Sequence, residues 1–236
     1  YKKERLYFDS YLVGNYQKQT WFKSPAMAQF SENESSRIKE LGVPRYTREW
    51  VKIYRSDIGT EETFIYGSRE KLNVLIFLTH PKYNVNTEAL IATMRSLDDL
   101  QGINFVYKPH VRNGLDGLDV GKLRGFDATE VSSVALSEWA DIGVVFGGSI
   151  GIQLLIDNVP LIVPTFLSSN NTIFQRKKAC VEVSNLNQLI GVIEKAKSGT
   201  DMLIDSGYVR NFIADVVYGN RSYEKLMGVF YEEIIN

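Results

Sequence analysis

The sequence predicts an α/β fold, a parallel β-sheet with helices on both faces, and three observations lead to it. Continuous apolar runs have the length of buried strands, as in LNVLIFLT (72–79) and INFVYKP (103–109). Segments with apolar residues at helical spacing separate such runs, as in TEALIATMRSLDDL (87–100). The alternation then continues along the chain, and strands that alternate with helices form parallel sheets through right-handed crossovers.

The stretch before this alternation has a different composition. Residues 1–35 are rich in aromatic and polar residues without a sustained period, and SENESS has the composition of a loop. We therefore predict that residues 1–37 are a linker or the tail of a preceding domain. SRIKELGVPRYTREWVKIYR then predicts a short helix, a Gly-Val-Pro turn and a second helix.

The stretch after the second strand continues the alternation. Residues 111–128 carry four glycines and predict a loop, while EVSSVALSEWAD fits either a short strand or a helical turn. Three further strands are predicted in IGVVFGG, VPLIVPTF and CVEVS. Helices are predicted in SIGIQLLIDN and NLNQLIGVIEKAKSG, and two or three more after residue 200.

Composition limits the classes of function. The 236 residues have a formal net charge of −1, which argues against binding nucleic acid through a surplus of basic residues. Cys180 is the only cysteine, so it forms no internal disulfide, a cysteine-based zinc site is excluded, and its apolar context ACVEV predicts a buried, unreactive thiol. No apolar run approaches the ~18 residues of a membrane span, and nothing resembles a signal peptide. We therefore predict a cytoplasmic protein without a transmembrane segment.

Basic and glycine residues recur just past the predicted strands. His80 follows the first strand, Lys108 and His110 the second, and Gly147 to Ser149 the third. Ligands of parallel sheets bind beyond the carboxyl ends of the strands, so we expect these residues on one rim.

The strongest local motif is FGGSIGIQ. Gly147 and Gly148 allow a tight turn and close approach of a ligand, and Ser149 is predicted to cap the helix that follows. Free N–H groups at such a turn suit a phosphate. The motif is neither a Walker loop nor GxGxxG, and ordinary turn chemistry remains an alternative explanation for it.

Lys108 and His110 offer a cation and a hydrogen-bond donor to the same phosphate or leaving group. His80 and Arg112 are weaker candidates, because a histidine after a strand is often structural and a loop arginine is often solvated. A zinc site built from the two histidines lacks a spaced third ligand, so no metal site is predicted.

Together, KELGVPRYTREWVKIY, FVYKPH and ALSEWADIGVVFGGSIGIQLLIDNVPLIVPTF resemble the carboxyl-terminal, donor-binding half of GT-B glycosyltransferases. The similarity is to bacterial surface-polysaccharide enzymes, among them capsule and Kdo transferases and the CDP-glycerol glycerophosphotransferases of teichoic-acid synthesis. It covers about residues 38–218 and implies a Rossmann-like domain there, followed by a helix (219–236) that packs back on the fold. The matching residues are Gly42, Pro44, Arg45, Trp50, Lys108, Pro109, His110, Gly148 and Ser149.

The resemblance also implies roles for individual residues. Lys108 and His110 would be catalytic, because they stabilise charge on the departing phosphate, and the turn at Gly147, Gly148 and Ser149 would bind the donor phosphates. Many such enzymes carry a glutamate in the helix after this turn, where this chain has Gln153. The weaker candidates for contacts with the ribose, sugar or base are Gln153, His80 and Arg112.

We therefore predict a metal-independent glycosyltransferase, or its donor-binding domain, without a cofactor. Its partners would be a nucleotide-sugar donor and a glycan or lipid-linked acceptor, at the inner face of the membrane. The catalytic base of such enzymes usually belongs to an amino-terminal domain, which we expect to lie outside these residues. Three alternatives remain: a glycerophosphotransferase, a UDP-N-acetylglucosamine epimerase, and a non-catalytic subunit that binds nucleotide or a partner.

Overall fold

A computed structural model describes residues 11–14, 38–58, 64–80, 82–110, 115, 118–119, 121–200 and 203–235. The chain divides into two compact units, one formed by residues 1–54 with 210–236 and the other by residues 55–209. The domain boundaries predicted after residues 37 and 218 stay predictions. Arg112 and most of the predicted tail lie outside the described residues.

The elements follow in chain order. The first are β1 (Tyr11–Gly14), β2 (Ile38–Leu41), a 3₁₀ turn (Pro44–Tyr46) and α1 (Arg48–Ile58). The next are β3 (Leu72–Phe77), α2 (Thr87–Asp99), β4 (Ile103–Lys108), β5 (Phe126–Asp127), α3 (Ser133–Trp139), β6 (Ile142–Val145), α4 (Ile150–Ile156), β7 (Leu161–Pro164), α5 (Ile173–Arg176), β8 (Val181–Val183) and α6 (Leu186–Ala196). The last are α7 (Ser206–Phe212), a π-helix (Ile213–Val217) and α8 (Tyr223–Ile235).

The larger unit contains a six-stranded sheet in the order β5-β4-β3-β6-β7-β8, and every neighbouring pair is parallel. The predicted parallel sheet is confirmed. Its central strands are the continuous apolar runs of the sequence, and all residues of β4, β6 and β7 are buried.

Helices cover both faces of this sheet. Helices α2 and α6 bury their apolar sides on one face, against alternate strand residues such as Val74, Ile76 and Val144. Helix α4 lies against the other face, because a Cβ on Gly143 of β6 would come within 2.3 Å of the Leu154 side chain. The alternation of strands and helices therefore produces the layered architecture that the sequence predicts.

The sequence pattern gave wrong predictions where a strand pairs with a distant segment or is very short. The short helix predicted before Gly42 is wrong: Ile38–Leu41 is strand β2, which pairs in parallel with β1. The loop predicted over 111–128 contains the two-residue strand β5, which pairs with β4. The ambiguous EVSSVALSEWAD contains helix α3, whose start is capped by Ser132 through a hydrogen bond from Val134 N–H (3.2 Å).

In the smaller unit, the GVPR segment lies against the π-helix. A Cβ on Gly42 would lie 2.1 Å from the carbonyl oxygen of Val217, so only glycine fits without a shift. The neighbouring Val43 N–H donates to the same carbonyl at 2.8 Å. The motif therefore has a packing role, which is separate from any contact with a ligand.

The start of α1 is held in the same unit. The Tyr218 hydroxyl accepts a hydrogen bond from Arg48 N–H (3.1 Å) and donates one to the Glu49 carboxylate (2.9 Å). Buried Thr47 accepts a weaker bond from Trp50 N–H (3.3 Å). These contacts supply acceptors for N–H groups that the first turn of a helix leaves unpaired.

Candidate functional site

The sheet of the larger unit changes direction between β3 and β6. From β3 the chain moves outward through β4 to β5, then returns to β6 on the other side of β3 and continues to β7 and β8. This is the order 3-2-1-4-5-6 of doubly wound folds, in which ligands bind beyond the carboxyl ends of the strands at the point of reversal. The residues after β3 and β6 are therefore the candidate ligand-binding residues.

The register brings the predicted rim residues onto neighbouring strand ends. Phe77 at the end of β3 lies beside Lys108 of β4 on one side and beside Val145 of β6 on the other. His80 thus follows the central strand, with His110 after one neighbour and the Gly147–Ser149 turn after the other.

The Gly147–Gly148 turn leaves open space. Gly148 has φ +86°, a left-handed conformation that favours glycine, and a Cβ built on it meets no described residue within 4 Å. Among the described residues, a Cβ on Gly147 would meet only the Thr79 hydroxyl, at 3.9 Å. Two glycines at a strand end, with room in front of them, allow the close approach that a ligand needs.

Ser149 differs from its predicted role as a helix cap. It precedes α4, but its backbone is helical (φ −80°, ψ −7°) and its side chain makes no capping hydrogen bond. N-cap side chains reach the N–H groups of the next turn from an extended backbone, which Ser149 does not have. The predicted cap is therefore wrong, while the phosphate-binding role of Ser149 stays a prediction.

His80 has one ring nitrogen engaged and one available. Its Nδ1 accepts a hydrogen bond from Lys82 N–H at 3.0 Å, so we assign the proton of the neutral ring to Nε2. The ring contacts the Tyr83 ring edge to face, with 6.0 Å between centroids. Among the described residues, Nε2 has no hydrogen-bond partner, so it can donate to a ligand at the reversal point.

Lys108 is buried, with 6% of its surface exposed, and its ammonium group is already engaged. Nζ donates to the backbone carbonyls of Ala128 (2.8 Å), Thr129 (2.6 Å) and Val131 (2.8 Å). Burial lowers the pKa of Lys108, and the nearby carboxylates of Glu130 and Asp127 oppose that effect. An ammonium group has three N–H donors, so a phosphate would have to replace one of these carbonyls.

The structure thus gives Lys108 a task that the sequence did not suggest: it ties the loop after β5 to the end of β4. Its predicted contact with a donor phosphate stays a prediction, as does that of His110. His110 is partly exposed and comes two residues after β4.

Gln153 lies inside the larger unit. It is 2% exposed, and its Nε2 donates to Asp157 Oδ2 at 2.9 Å. The same oxygen accepts from the Ser137 hydroxyl (2.7 Å) and pairs with Arg55 (2.9 Å), which also lies 3.0 Å from the Glu138 carboxylate. These contacts join α3 to α4, and the predicted contact between Gln153 and the donor stays a prediction.

A cleft of about 310 Å³ lies elsewhere, near the amino end of β4, between Tyr66 and Gly125. Two of its polar side chains are already paired. Asn104 is hydrogen-bonded to the backbone N–H and carbonyl of Ser68 (3.1 and 2.7 Å), and Asp98 accepts from Gly125 N–H (2.6 Å). These groups are satisfied and the cleft lies at the edge opposite the reversal point, so it is not a candidate ligand site.

The described residues contain no group of three or more His, Cys, Asp or Glu side chains arranged to hold a metal ion. None of their helices has the length and hydropathy needed to cross a bilayer.

The fold of the chain is that of GT-B glycosyltransferases. No protein-family profile matches the sequence, and no curated protein does. Structural similarity is broad: a glycotransferase of kitacinnamycin aligns with 94% of this chain and 54% of its own (TM-score 0.53, 14% identity). A glycosyltransferase from Rickettsia africae covers 97% of this chain and 64% of its own, with a TM-score of 0.52 and 14% identity. The wall teichoic acid polymerase TagF covers 96% of this chain and 59% of its own, with a TM-score of 0.51 and 14% identity. The chain therefore spans between half and two thirds of the length of these structures, and the likeness is one of fold.

Proposed function

We propose that this chain is the donor-binding part of a glycosyltransferase that transfers a sugar from a nucleotide-activated donor to a glycan or lipid-linked acceptor. The observation that carries the proposal is the arrangement of residues at the reversal point. There an open Gly147–Gly148 turn lies beside the end of β3, which is followed by His80 with its available Nε2. The shared fold with glycosyltransferases supports the reaction class.

The mechanism follows from where charge develops. The bond between the sugar's anomeric carbon and the donor phosphate breaks, and its electron pair leaves with the phosphate oxygen. Donors aimed at that oxygen would stabilise the departing group: His80 Nε2–H, His110 and the backbone N–H groups of the turn. The acceptor hydroxyl forms the new bond to carbon and gives its proton to a base, which the resemblance assigns to an amino-terminal domain. Lys108 would contribute by holding the loop at residues 128–131.

Filling the space in front of this turn tests the proposal. Gly147→Leu places a side chain where the ligand would lie. Gly191→Leu makes the same change at an exposed position of α6, where a Cβ meets no described residue within 4 Å. By titration calorimetry in EDTA with UDP, GDP, CDP and CMP, we expect binding by wild type and Gly191→Leu. We expect a loss of more than about tenfold for Gly147→Leu, because its side chain would take up the space proposed for the ligand. Equal affinity of both variants would place the nucleotide elsewhere.

Glycerophosphate transfer is the second candidate, because a wall teichoic acid polymerase has the same fold. The nucleotide series separates the two. Preference for CDP and CMP would favour glycerophosphate transfer from a CDP-linked donor, and preference for UDP or GDP would favour sugar transfer or an epimerase reaction. Failure to bind any nucleotide would favour a non-catalytic subunit.

A further inference from the structure

Two loops at the carboxyl edge of the sheet are joined to each other. The loop after β3 (82–86) and the loop after β7 (165–170) belong to strands that flank β6 on its two sides. Val85 and Ser168 form an antiparallel bridge, and Asn86 N–H donates to the Leu167 carbonyl at 2.9 Å. The two loops therefore form one connected rim at the carboxyl edge of the sheet.

The Asn170 side chain supplies the outer part of this connection. Its Nδ2 donates to the Tyr83 carbonyl at 3.0 Å, and its Oδ1 accepts from the Asn84 side chain at 3.1 Å. Its backbone N–H donates to the Ser168 hydroxyl at 3.2 Å, which holds the Asn170 backbone within its own loop. Both ends of one amide thus hold the loop at residues 83–84.

That loop in turn holds His80. Lys82 N–H donates to His80 Nδ1 at 3.0 Å, Tyr83 N–H donates to the His80 carbonyl at 3.0 Å, and the Tyr83 ring lies against the imidazole. Asn84 has φ +57°, a left-handed conformation that is unfavourable without local hydrogen bonds. The turn around His80 is therefore held by its own hydrogen bonds and by contacts from the loop after β7, among them those of Asn170.

We propose that Asn170 is a positioning residue for His80: by holding the Tyr83–Asn84 turn, it keeps the neutral imidazole in one tautomer, with Nε2–H directed at the candidate site. The value of this arrangement for a phosphate ligand rests on the proposed function. The arrangement itself is a property of the free protein and can be measured without any ligand.

The chain offers a matched control for the test. Asn171 is the next residue, it is exposed, and its side chain makes no hydrogen bond among the described residues. Asn170→Ala removes both contacts to the turn, and Asn171→Ala removes the same number of atoms without removing a contact. Asn170→Asp keeps an acceptor for Asn84 but cannot donate to the Tyr83 carbonyl.

The tautomer is read by NMR of protein labelled with ¹⁵N-histidine, at a pH where the ring is neutral. The chain has only two histidines, so a single variant, His110→Gln, assigns both. In wild type and Asn171→Ala we expect one Nε2-protonated tautomer for His80, with widely separated nitrogen shifts. In Asn170→Ala the two nitrogen shifts should move toward each other, because both tautomers become populated. The shifts of Asn170→Asp should lie between those of wild type and those of Asn170→Ala.

Nucleotide affinity gives the second readout, with an expected loss of about tenfold or less in Asn170→Ala. Unchanged His80 shifts in Asn170→Ala would overturn the inference, including when affinity falls, since Asn170 would then act on the ligand itself. Changed shifts in a protein that binds no nucleotide would support the positioning role and overturn only the proposed function.

Discussion

Lys108 ends a strand in which every residue is buried, and its ammonium group lies among three backbone carbonyls. The pattern of a basic residue after an apolar run is the same for a ligand-binding lysine and for a lysine that ties down a loop. Only the positions of residues 128–131 distinguish the two. Burial gives the lysine its structural role, because buried carbonyls need donors.

Replacing Lys108 tests this role. Lys108→Met keeps the aliphatic stem but removes the donors of three carbonyls, so we expect the free energy of unfolding to fall by about 3 kcal/mol. Lys71→Met is the control, because Lys71 is exposed and should change stability by less than about 0.5 kcal/mol. Urea denaturation measures both variants. Equal stability of the two would show that the carbonyls do not depend on Lys108.

Cys180 is only partly buried, so the prediction of a buried thiol is not confirmed. Burial raises the pKa of its thiol from 9.0 to about 12, and the nearby Glu182 carboxylate acts in the same direction. The thiolate is the reactive form, so iodoacetamide should modify native Cys180 far more slowly than the urea-unfolded chain at the same pH. Similar rates in both states would contradict this prediction.

The sign of the pH effect on stability follows from the same pKa. Above pH 9.0 the unfolded thiol loses its proton, while the folded thiol keeps it until about pH 12. The contribution of Cys180 to stability is therefore complete below pH 9.0 and declines as the pH rises toward 12. The free energy of unfolding of wild type should therefore fall relative to that of Cys180→Ala as the pH rises over that range.

At the scale of elements, one carboxylate joins α3 and α4. Asp157 Oδ2 is shared by Arg55, Ser137 and Gln153, and the Asp157 side chain is only 11% exposed. Asp157→Asn removes the charge opposite Arg55 and one acceptor site. We expect a loss of about 2 kcal/mol, because the partly buried arginine loses the charge of one of its two carboxylate partners.

The matched control is Asp57→Asn on the exposed side of α1, which should change stability by less than about 0.5 kcal/mol. Thermal and urea unfolding both measure the effect. If Asp157→Asn leaves stability unchanged but weakens nucleotide binding, Gln153 and its neighbours act on the ligand, as the resemblance implied.

The elements also show what local pattern can predict. Long apolar runs and helices with a regular apolar spacing were found from the sequence, because their periodicity is complete within the segment. Strand β2 was mistaken for a helix because its partner β1 lies more than twenty residues earlier. Strand β5 was missed because two residues are too few for any period.

At the scale of the larger unit, strand order predicts where stability is concentrated. Strand β3 has a neighbour on each side and four buried residues, whereas β5 is a two-residue edge strand. In hydrogen exchange followed by mass spectrometry, we expect the amides of β3 and β6 to exchange slowest and those of β5 to exchange fastest. Exchange of β3 as rapid as that of β5 would be incompatible with this strand order.

The sequence by itself determined the composition of the sheet and the set of residues at its carboxyl edge. Buried parallel strands require continuous apolar runs, and ligand-binding residues follow those runs, so both are recorded locally in the chain. The glycine turn at residues 147–148 and the two histidines were identified on that basis.

Only the tertiary structure decided which of these residues are neighbours and which are already engaged. The reversal between β3 and β6 puts the strand before His80 beside the strand before the glycine turn, and this follows from strand order, which no single segment encodes. The carbonyls that engage Lys108 lie 20 to 23 residues further along the chain. Asn170 reaches the turn after His80 across 86 to 87 residues of sequence. Such contacts depend on how distant segments pack, because hydrogen bonds form between groups that are close in space, whatever their separation in the chain.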